Sequence, residues 1–302
     1  MASLLRSFLG GLRAGQIAFV FLALLLPSRA AFAQLTYACG DDGANVGQHC
    51  YANPDWEVPA SVSQFSGSYV DIQPSGMKCK PSCDGHFSNE MWLADQRTPA
   101  CTSNVEGVCW VEAGIEIKDG DKTPYYFWAD SRPIQDADNA YTSHILGPAD
   151  LDKPTHFVIM QDERGGPNIY SLWIYNDSGS VAYQFESTPN NMSPNSIRIG
   201  TELSGTKGAS GRAIFTHSTW FESVLEKGVT TWIAHPQTDL GNANDLVVNT
   251  PPLVMGWVVS PIYLPSQGGQ LETGFCATAS NCKPPLGITP SPHPIPPPTK
   301  AQ

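Results

Sequence analysis

The stretch CWVEAGIEI, residues 109–117, carries two glutamates through what otherwise reads as a β-strand. Successive strand side chains point to opposite faces, so Trp110, Glu112, Gly114 and Glu116 share one surface while Val111, Ala113, Ile115 and Ile117 line the other. A plainly solvated face would mix in Lys, Thr and Ser. A Trp and a Gly beside two carboxylates suit a groove instead, where something approaches the backbone closely. SIRIGTEL repeats the arrangement, with Ile197, Ile199 and Leu203 on an apolar face and Arg198, Gly200 and Glu202 on the other. PYYFWAD sets Tyr126, Trp128 and Asp130 on one face and Tyr125 and Phe127 on the opposite one. Bringing the polar faces of these strands together makes an aromatic-lined acidic groove holding Glu112, Glu202 and Trp128. Two carboxyls crowded in such a groove split their pKa values, so that one stays protonated as an acid and the other stays ionised as a base toward water. The competing reading for each glutamate is hydration of an outer sheet face.

Such a groove needs sheets to hold it, and the chain from about residue 86 onward supplies them. Short β-branched and aromatic runs recur between turn residues, the pattern of an antiparallel β-sandwich of jelly-roll or concanavalin-like type. The breakers are explicit: Asp119-Gly120-Asp121, Gly165-Gly166-Pro167 and Asn176-Asp177-Ser178-Gly179 are turn chemistry. YSLWIYNDSGSVAYQF reads as a hairpin. HSTWFESVLEKG, residues 217–228, offers the one possible helix, with Ser218 or Thr219 as its cap and Gly228 as its end. Residues 34–85, rich in Gly, Pro, Asp, Ser and Cys, read as a disulfide-stapled N-terminal lobe or propeptide-like cap ahead of a β-sandwich domain over residues 86–282. The Pro-rich residues 283–302 cannot enter a sheet interior and read as a disordered tail.

Residues 1–33 have the form of a secretory signal: Arg6 and Arg13 precede the apolar run IAFVFLALLL, and Ala31-Phe32-Ala33 supplies small residues before a cut. That run is shorter than the roughly 20 residues a membrane-spanning helix needs, so the expectation is a secreted, extracellular protein released from the membrane. Eight cysteines in such a chain favour disulfides, and Cys39, Cys50, Cys79, Cys83, Cys101, Cys109, Cys276 and Cys282 fall into neighbouring pairs in that order. Their spacing lacks a repeated CxxC with nearby His, so no metal site is expected, and no cofactor. The formal charge of −11 drops further when the basic signal is removed, which argues against nucleic acid and anionic membranes as partners. The expected partner is an extracellular polypeptide or polysaccharide substrate, met by a monomer. No GxSxG, HExxH or unpaired thiol offers an alternative nucleophile or metal chemistry.

The run WVEAGIEIKDGDKTPYYFWAD resembles the segment of neprosin-type glutamic peptidases in which an EAG-bearing strand is followed by a GD loop and an aromatic strand. IGTEL, residues 199–203, resembles the later strand that carries the second glutamate of that family. The resemblance implies Glu112 and Glu202 as the catalytic pair, a sandwich of two curved antiparallel sheets, and peptide hydrolysis by an activated water without metal or covalent intermediate. Eqolisin peptidases are more distantly similar. The words WVEAG, YFWAD and GTEL are also similar to those of a set of exported bacterial proteins, a likeness that supplies no chemistry. Around the pair, Trp110, Tyr126, Trp128, Asp130 and Glu116 are the candidate substrate-binding residues. The other class is sugar: exposed Trp and Tyr stack on sugar rings while carboxylates take hydroxyls, giving a carbohydrate-binding or cell-wall-associated sandwich or a polysaccharide hydrolase. Glu112 and Glu116, four residues apart on one strand, stand about 13 Å apart. That is too far for either kind of glycosidase pair, which needs about 5–9.5 Å.

Overall fold

Period-two alternation of apolar with polar residues drives nearly all of the described chain into strands, which stack as two antiparallel sheets. The computed structural model describes residues 49–57, 64–79, 85–103, 107–118, 120–131, 141–151, 153–161, 169–187, 192–204, 209–224, 229–234, 246–249, 257–262 and 270–276. The first sheet comprises β1 (His49–Glu57), β3 (His86–Asp95), β4 (Cys109–Lys118), β5 (Tyr125–Ser131), β6 (Tyr141–Pro148), β10 (Ser196–Ser204) and β13 (Leu246–Asn249). Its order is β13-β1-β10-β3-β4-β5-β6, which puts β3 at the centre. The second sheet comprises β2 (Gly67–Cys79), β7 (Thr155–Gln161), β8 (Tyr170–Tyr175), β9 (Val181–Glu186), β11 (Ala209–Val224), β12 (Val229–Ala234), β14 (Trp257–Ile262) and β15 (Gln270–Cys276). It runs β14-β15-β11-β2-β7-β8-β9, with β12 paired to β11. This is the antiparallel β-sandwich expected from the sequence.

The core lies between the sheets. Val111, Ala113, Ile115 and Ile117 of β4 and Ile197, Ile199 and Leu203 of β10 meet Val70, Ile72, Phe157, Ile159, Phe215 and Phe275 of the other sheet. A polar tether crosses this apolar layer: the Thr201 hydroxyl donates to Asn89 Oδ1 at 2.9 Å and lies 2.7 Å from the Thr273 hydroxyl. Buried polar groups placed this way fix which residue faces which, because slipping by one would leave them unsatisfied.

Turn chemistry behaves as the sequence implied. In the β8–β9 hairpin, Asn176 Oδ1 accepts the Ser178 and Ser180 amides at 3.1 and 3.0 Å, and Gly179 adopts φ 82°. Gly120 likewise takes φ 81°, while Asp121 Oδ2 accepts the Lys118 amide at 3.0 Å. Cys101, in the short helix α1 (Pro99–Thr102), pairs with Cys109 at the start of β4, the neighbouring pairing expected. Closing so short a loop stabilises by about 2–3 kcal/mol. Cys79 is also disulfide-bonded. Cys39, Cys83 and Cys282 lie outside the described residues, as do the side chains of Cys50 and Cys276.

Two expectations are corrected. The described part of the expected helix, residues 217–224, is strand: β11 continues to Val224 and pairs with β12 through Thr219–Val224. The helix-cap signals there fall at an irregularity in the β11–β2 register between Thr216 and Thr219, and the partner strands override local propensity. The boundary expected at residue 85 does not set off a lobe either, since β1 pairs with β10 in the first sheet and β2 pairs with β11 and β7 in the second. Turn-rich composition had disguised two structural strands. The signal-like residues 1–33, the stretch 34–48 and the tail 283–302 lie outside the described residues. Among the described residues no helix is long and apolar enough to cross a membrane.

The end of β3 is latched by Asp95. Its carboxylate accepts the amides of Arg97 at 2.9 Å, Thr98 at 3.0 Å and Ser193 at 2.7 Å, and the Thr98 hydroxyl at 2.6 Å. The Asn195 amide adds a bond to the Ala94 carbonyl at 2.8 Å, so the segment entering β10 is tied to the strand leaving β3. Burial pushes the Asp95 pKa up, but these hydrogen bonds outweigh it and hold the carboxyl below its ordinary 3.8. The group therefore contributes stability that is full above that value and fades as the pH falls through the lowered one. Asp95→Ala is expected to destabilise by at least about 2 kcal/mol at neutral pH, because it leaves several donors unmet. The difference should shrink on acidification, as denaturant melts at pH 7 and pH 2.5 would show.

Candidate active site

The outer face of the first sheet, away from the core, collects the chemistry. Pairing sets it row by row: Glu112 stands opposite Trp92, Gly114 opposite Glu90, and Glu116 opposite Ser88. On the other flank of β3, Arg198 stands opposite Trp92, Gly200 opposite Glu90, and Glu202 opposite Ser88. Tyr51 of β1 then lies opposite Glu202. Glu90 thus occupies the central strand with glycine on both sides, while Glu112 and Glu202 reach in on opposite diagonals. One carboxylate oxygen from each of Glu90, Glu112 and Glu202 comes within 4.8 Å of the others. They line a cleft of about 410 Å³ together with Tyr51, Trp92 and Trp110.

The glycines are a steric requirement. A Cβ at Gly114 would sit 2.4 Å from the Asn89 carbonyl oxygen and 2.6 Å from Glu90 Cβ. One at Gly200 would sit 2.3 Å from the Ala52 oxygen and 2.7 Å from Asn53 Cβ. The missing side chain at Gly114 lets β4 close against Glu90, and the one at Gly200 lets β10 close against β1.

Electrostatics follow from that crowding. Glu90 is 1% exposed; burial first, then the charges of Glu112 and Glu202 and a hydrogen bond shared with Glu202, raise its pKa well above the ordinary carboxyl value. It keeps its proton where surface carboxyls have lost theirs. Burial likewise raises Glu116, against the opposing pull of His86 and Lys118. His86 bridges the two outer carboxylates, with Nε2 3.3 Å from Glu202 Oε1 and Nδ1 3.7 Å from Glu116 Oε1, and Lys118 Nζ lies 3.4 Å from Glu116 Oε2. Burial and the charges of Glu202, Glu90 and Glu112 keep the Tyr51 phenol protonated, and its ring meets Trp92 edge-on at 5.5 Å. The cleft therefore offers a carboxyl held protonated, further carboxyls beside it and a phenol donor within one small space. Three convergent carboxylate oxygens are also a donor set that a hard divalent cation could bridge, although the sequence reading had expected no metal.

Of the expected site residues, Glu112, Glu202, Glu116 and Trp110 line this cleft. Tyr126, Trp128 and Asp130 do not, and they are corrected here. The β4–β5 register sets Ala113 opposite Trp128 and Glu112 opposite Ala129, so these three side chains share the inward face of β5. Tyr126 lies 3.1 Å from the Thr155 hydroxyl and packs on Phe157 and Tyr183, Trp128 stacks on His144 and Phe185, and Asp130 is fully buried. Phe127 and Ala129 take their place on the cleft wall. Glu90 and Tyr51 were missed. The available signal for Glu90 was the pair of glycines two residues from Glu112 and Glu202, each marking a close approach that some third strand had to fill.

No family model and no curated protein matches the chain. Among solved structures it is similar to SCP-B, a member of the eqolisin family of peptidases in a complex with the tripeptide Ala-Ile-His, at 9% identity and TM-score 0.44 over 76% of this chain and 100% of that one. A PL7 alginate lyase from Zobellia galactanivorans is similar at 12% identity and TM-score 0.31, over 55% and 64% of the two chains. Peanut lectin with a 9mer peptide is similar at 10% identity and TM-score 0.31, over 65% and 96%.

Two measurements probe the geometry. Gly114→Ala should destabilise by about 1–3 kcal/mol, the range for forcing a methyl group into filled space, and should displace Glu90. Raised carboxyls give the opposite sign from Asp95: their stabilisation is full below the unfolded value of 4.5 and is lost as the pH climbs through the raised values. The melting temperature should therefore decline from pH 4.5 toward neutrality, and Glu90→Gln should flatten part of that decline.

Proposed function

We propose that this chain is an exported acid hydrolase of glutamic-peptidase type that cleaves polypeptides with Glu112 and Glu202. The observation that supports it best is the convergence of three carboxylate oxygens within 4.8 Å, one belonging to a fully buried carboxyl, in a cleft large enough to admit a peptide segment. Like charges that close cannot all ionise, so the cluster holds at least one proton beside at least one base through the acid range. In this reading Glu202, which shares a hydrogen bond with the buried and protonated Glu90, is the acid and Glu112 is the base. Glu112 takes a proton as water oxygen bonds to the scissile carbonyl carbon. The carbon–nitrogen bond then breaks as Glu202 gives its proton to the leaving nitrogen. Tyr51, held protonated, can donate to the oxygen on which negative charge develops. Export is supported by the signal-like N-terminus and by the Cys101–Cys109 disulfide, a bond that persists in oxidising compartments.

The sugar-binding reading loses part of its platform in this geometry. Trp128 and Trp173 are buried and Trp92 is packed edge-on against Tyr51, which leaves Trp110 as the half-buried Trp beside the carboxyls among the described residues. An inverting glycosidase also needs its carboxyls about 6.5–9.5 Å apart, a wider setting than this one.

The test is digestion of an unstructured protein such as casein by the purified chain across pH 2 to 7. Cleavage should be strongest in the acid range and insensitive to a chelator. Glu112→Gln and Glu202→Gln should each lower kcat/KM by about 10²-fold or more. No cleavage at any pH would sink the reading, and loss on chelation would move the three carboxylates to a metal role.

A further inference from the structure

A two-glutamate mechanism leaves the site in the wrong protonation state after each turnover, and it gives Glu90 no task. When products leave, Glu112 carries the proton taken from water and Glu202 has lost its own. Glu90 stands on β3 between them, two residues from the partner of Glu112 and two from the partner of Glu202. Its carboxyl is closed off from solvent; Gly114 leaves room for it on the β4 side, and Gly200 stands opposite it on β10. A buried carboxyl this close to two others is a poor choice for filling space, which a Gln would do without a titrating group.

We propose that Glu90 is a positioning residue that returns the proton from Glu112 to Glu202 between turnovers, acting through those two carboxyls and not on substrate. This rests on the hydrolase reading above. As the Glu112 proton moves to Glu90, the proton of Glu90 moves to Glu202. One O–H bond breaks and one forms at each transfer, the number of protons in the site is unchanged, and no further reactant is consumed. The relay ends with Glu112 ionised and Glu202 protonated, ready for the next peptide bond. The remaining charged or titratable groups of the cleft are Tyr51 on β1, Arg198 on β10, His86 on β3, and Glu116 and Lys118 on β4. Of the carboxyls, Glu116 is the one already held by both His86 and Lys118, which leaves Glu90 as the carrier.

Glu90→Gln in the full chain separates a relay from a filler. Gln keeps the length and can still donate to Glu202, yet it carries no exchangeable acid proton. The expected result is an unchanged KM, a kcat lowered about 10-fold or more, and a basic limb of the pH profile moved down by about one unit, because the proton then rests on Glu202 without a store beside it. Glu90→Asp, which restores a carboxyl, should recover part of the limb. A Gln variant that folds and keeps the parent kcat and pH profile would overturn the proposal.

An activity-free readout accompanies it: infrared titration of the protonated-carboxyl stretch on the same proteins. The parent should retain such a band above the range of surface carboxyls, Glu90→Gln should lose the part of it that persists to the highest pH, and Glu202→Gln should shift its midpoint. A band unchanged in Glu90→Gln overturns the assignment of the stored proton to Glu90. A band that behaves as expected in a protein that cleaves no polypeptide at any pH overturns the hydrolase reading, and the relay step with it, on separate grounds.

Discussion

A carboxyl buried between two other carboxyls is the constraint on which this architecture turns. Such a group is unfavourable wherever a sheet could put something else, since burial and like charge both oppose its ionisation. It persists only where neighbouring strands are held so that the charges cannot spread apart. Here β10, β3 and β4 are locked to each other along their length; Gly114 removes a side chain that would wedge β4 away from Glu90, and Gly200 one that would wedge β10 away from β1. The apolar layer behind the sheet gives rigidity, and the Asp95 latch and the Thr201–Thr273 contact fix the register. A slip of one residue along any of these strands would send the carboxyls into the core.

How much of this could be read from the residues depends on how cleanly each strand separates its two faces. Residues 109–118 and 196–204 alternate almost without exception, so Glu112 and Glu202 could be assigned to one face, and the structure brings them together. Residues 125–129 are aromatic or small at every position, and with both faces apolar the phase is undetermined. Pairing with β4 decides it, inward for Tyr126 and Trp128. In β3, polar Asn89 and Glu90 sit side by side, one joining the inter-sheet tether and the other the cleft. Nothing local distinguishes a polar residue that stitches a core from one that does chemistry.

The same limit hid β1 and β2. Pro54, Asp55, Asp71 and Pro74 give these segments the composition of loops, whereas both are strands paired on two sides. Long-range pairing satisfies their backbone groups, and it does so between residues well over one hundred positions apart, as with Tyr51 and Glu202. Tyr51 enters the cleft only through that pairing, so no window of sequence around it announces a site.

The second sheet holds a contrasting case that sharpens the argument. On its outer face His156 Nδ1 lies 2.6 Å from Asp71 Oδ1 and 3.2 Å from the Tyr69 hydroxyl, with all three side chains buried beside Val158, Met160 and Trp173. Burial and the Asp71 charge drive the Tyr69 pKa upward, as burial and neighbouring charges do for Tyr51 in the cleft. The difference is sign. Asp71 meets a histidine nitrogen within hydrogen-bond distance, so this cluster fastens β2 to β7. Glu90 instead has Glu112, Glu116 and Glu202 on three of its diagonals and Arg198 on the fourth, so a proton held there has carboxyls beside it to move to. A cluster of unlike partners supports a fold, whereas one that gathers several carboxyls around a buried, protonated one has the means to move a proton.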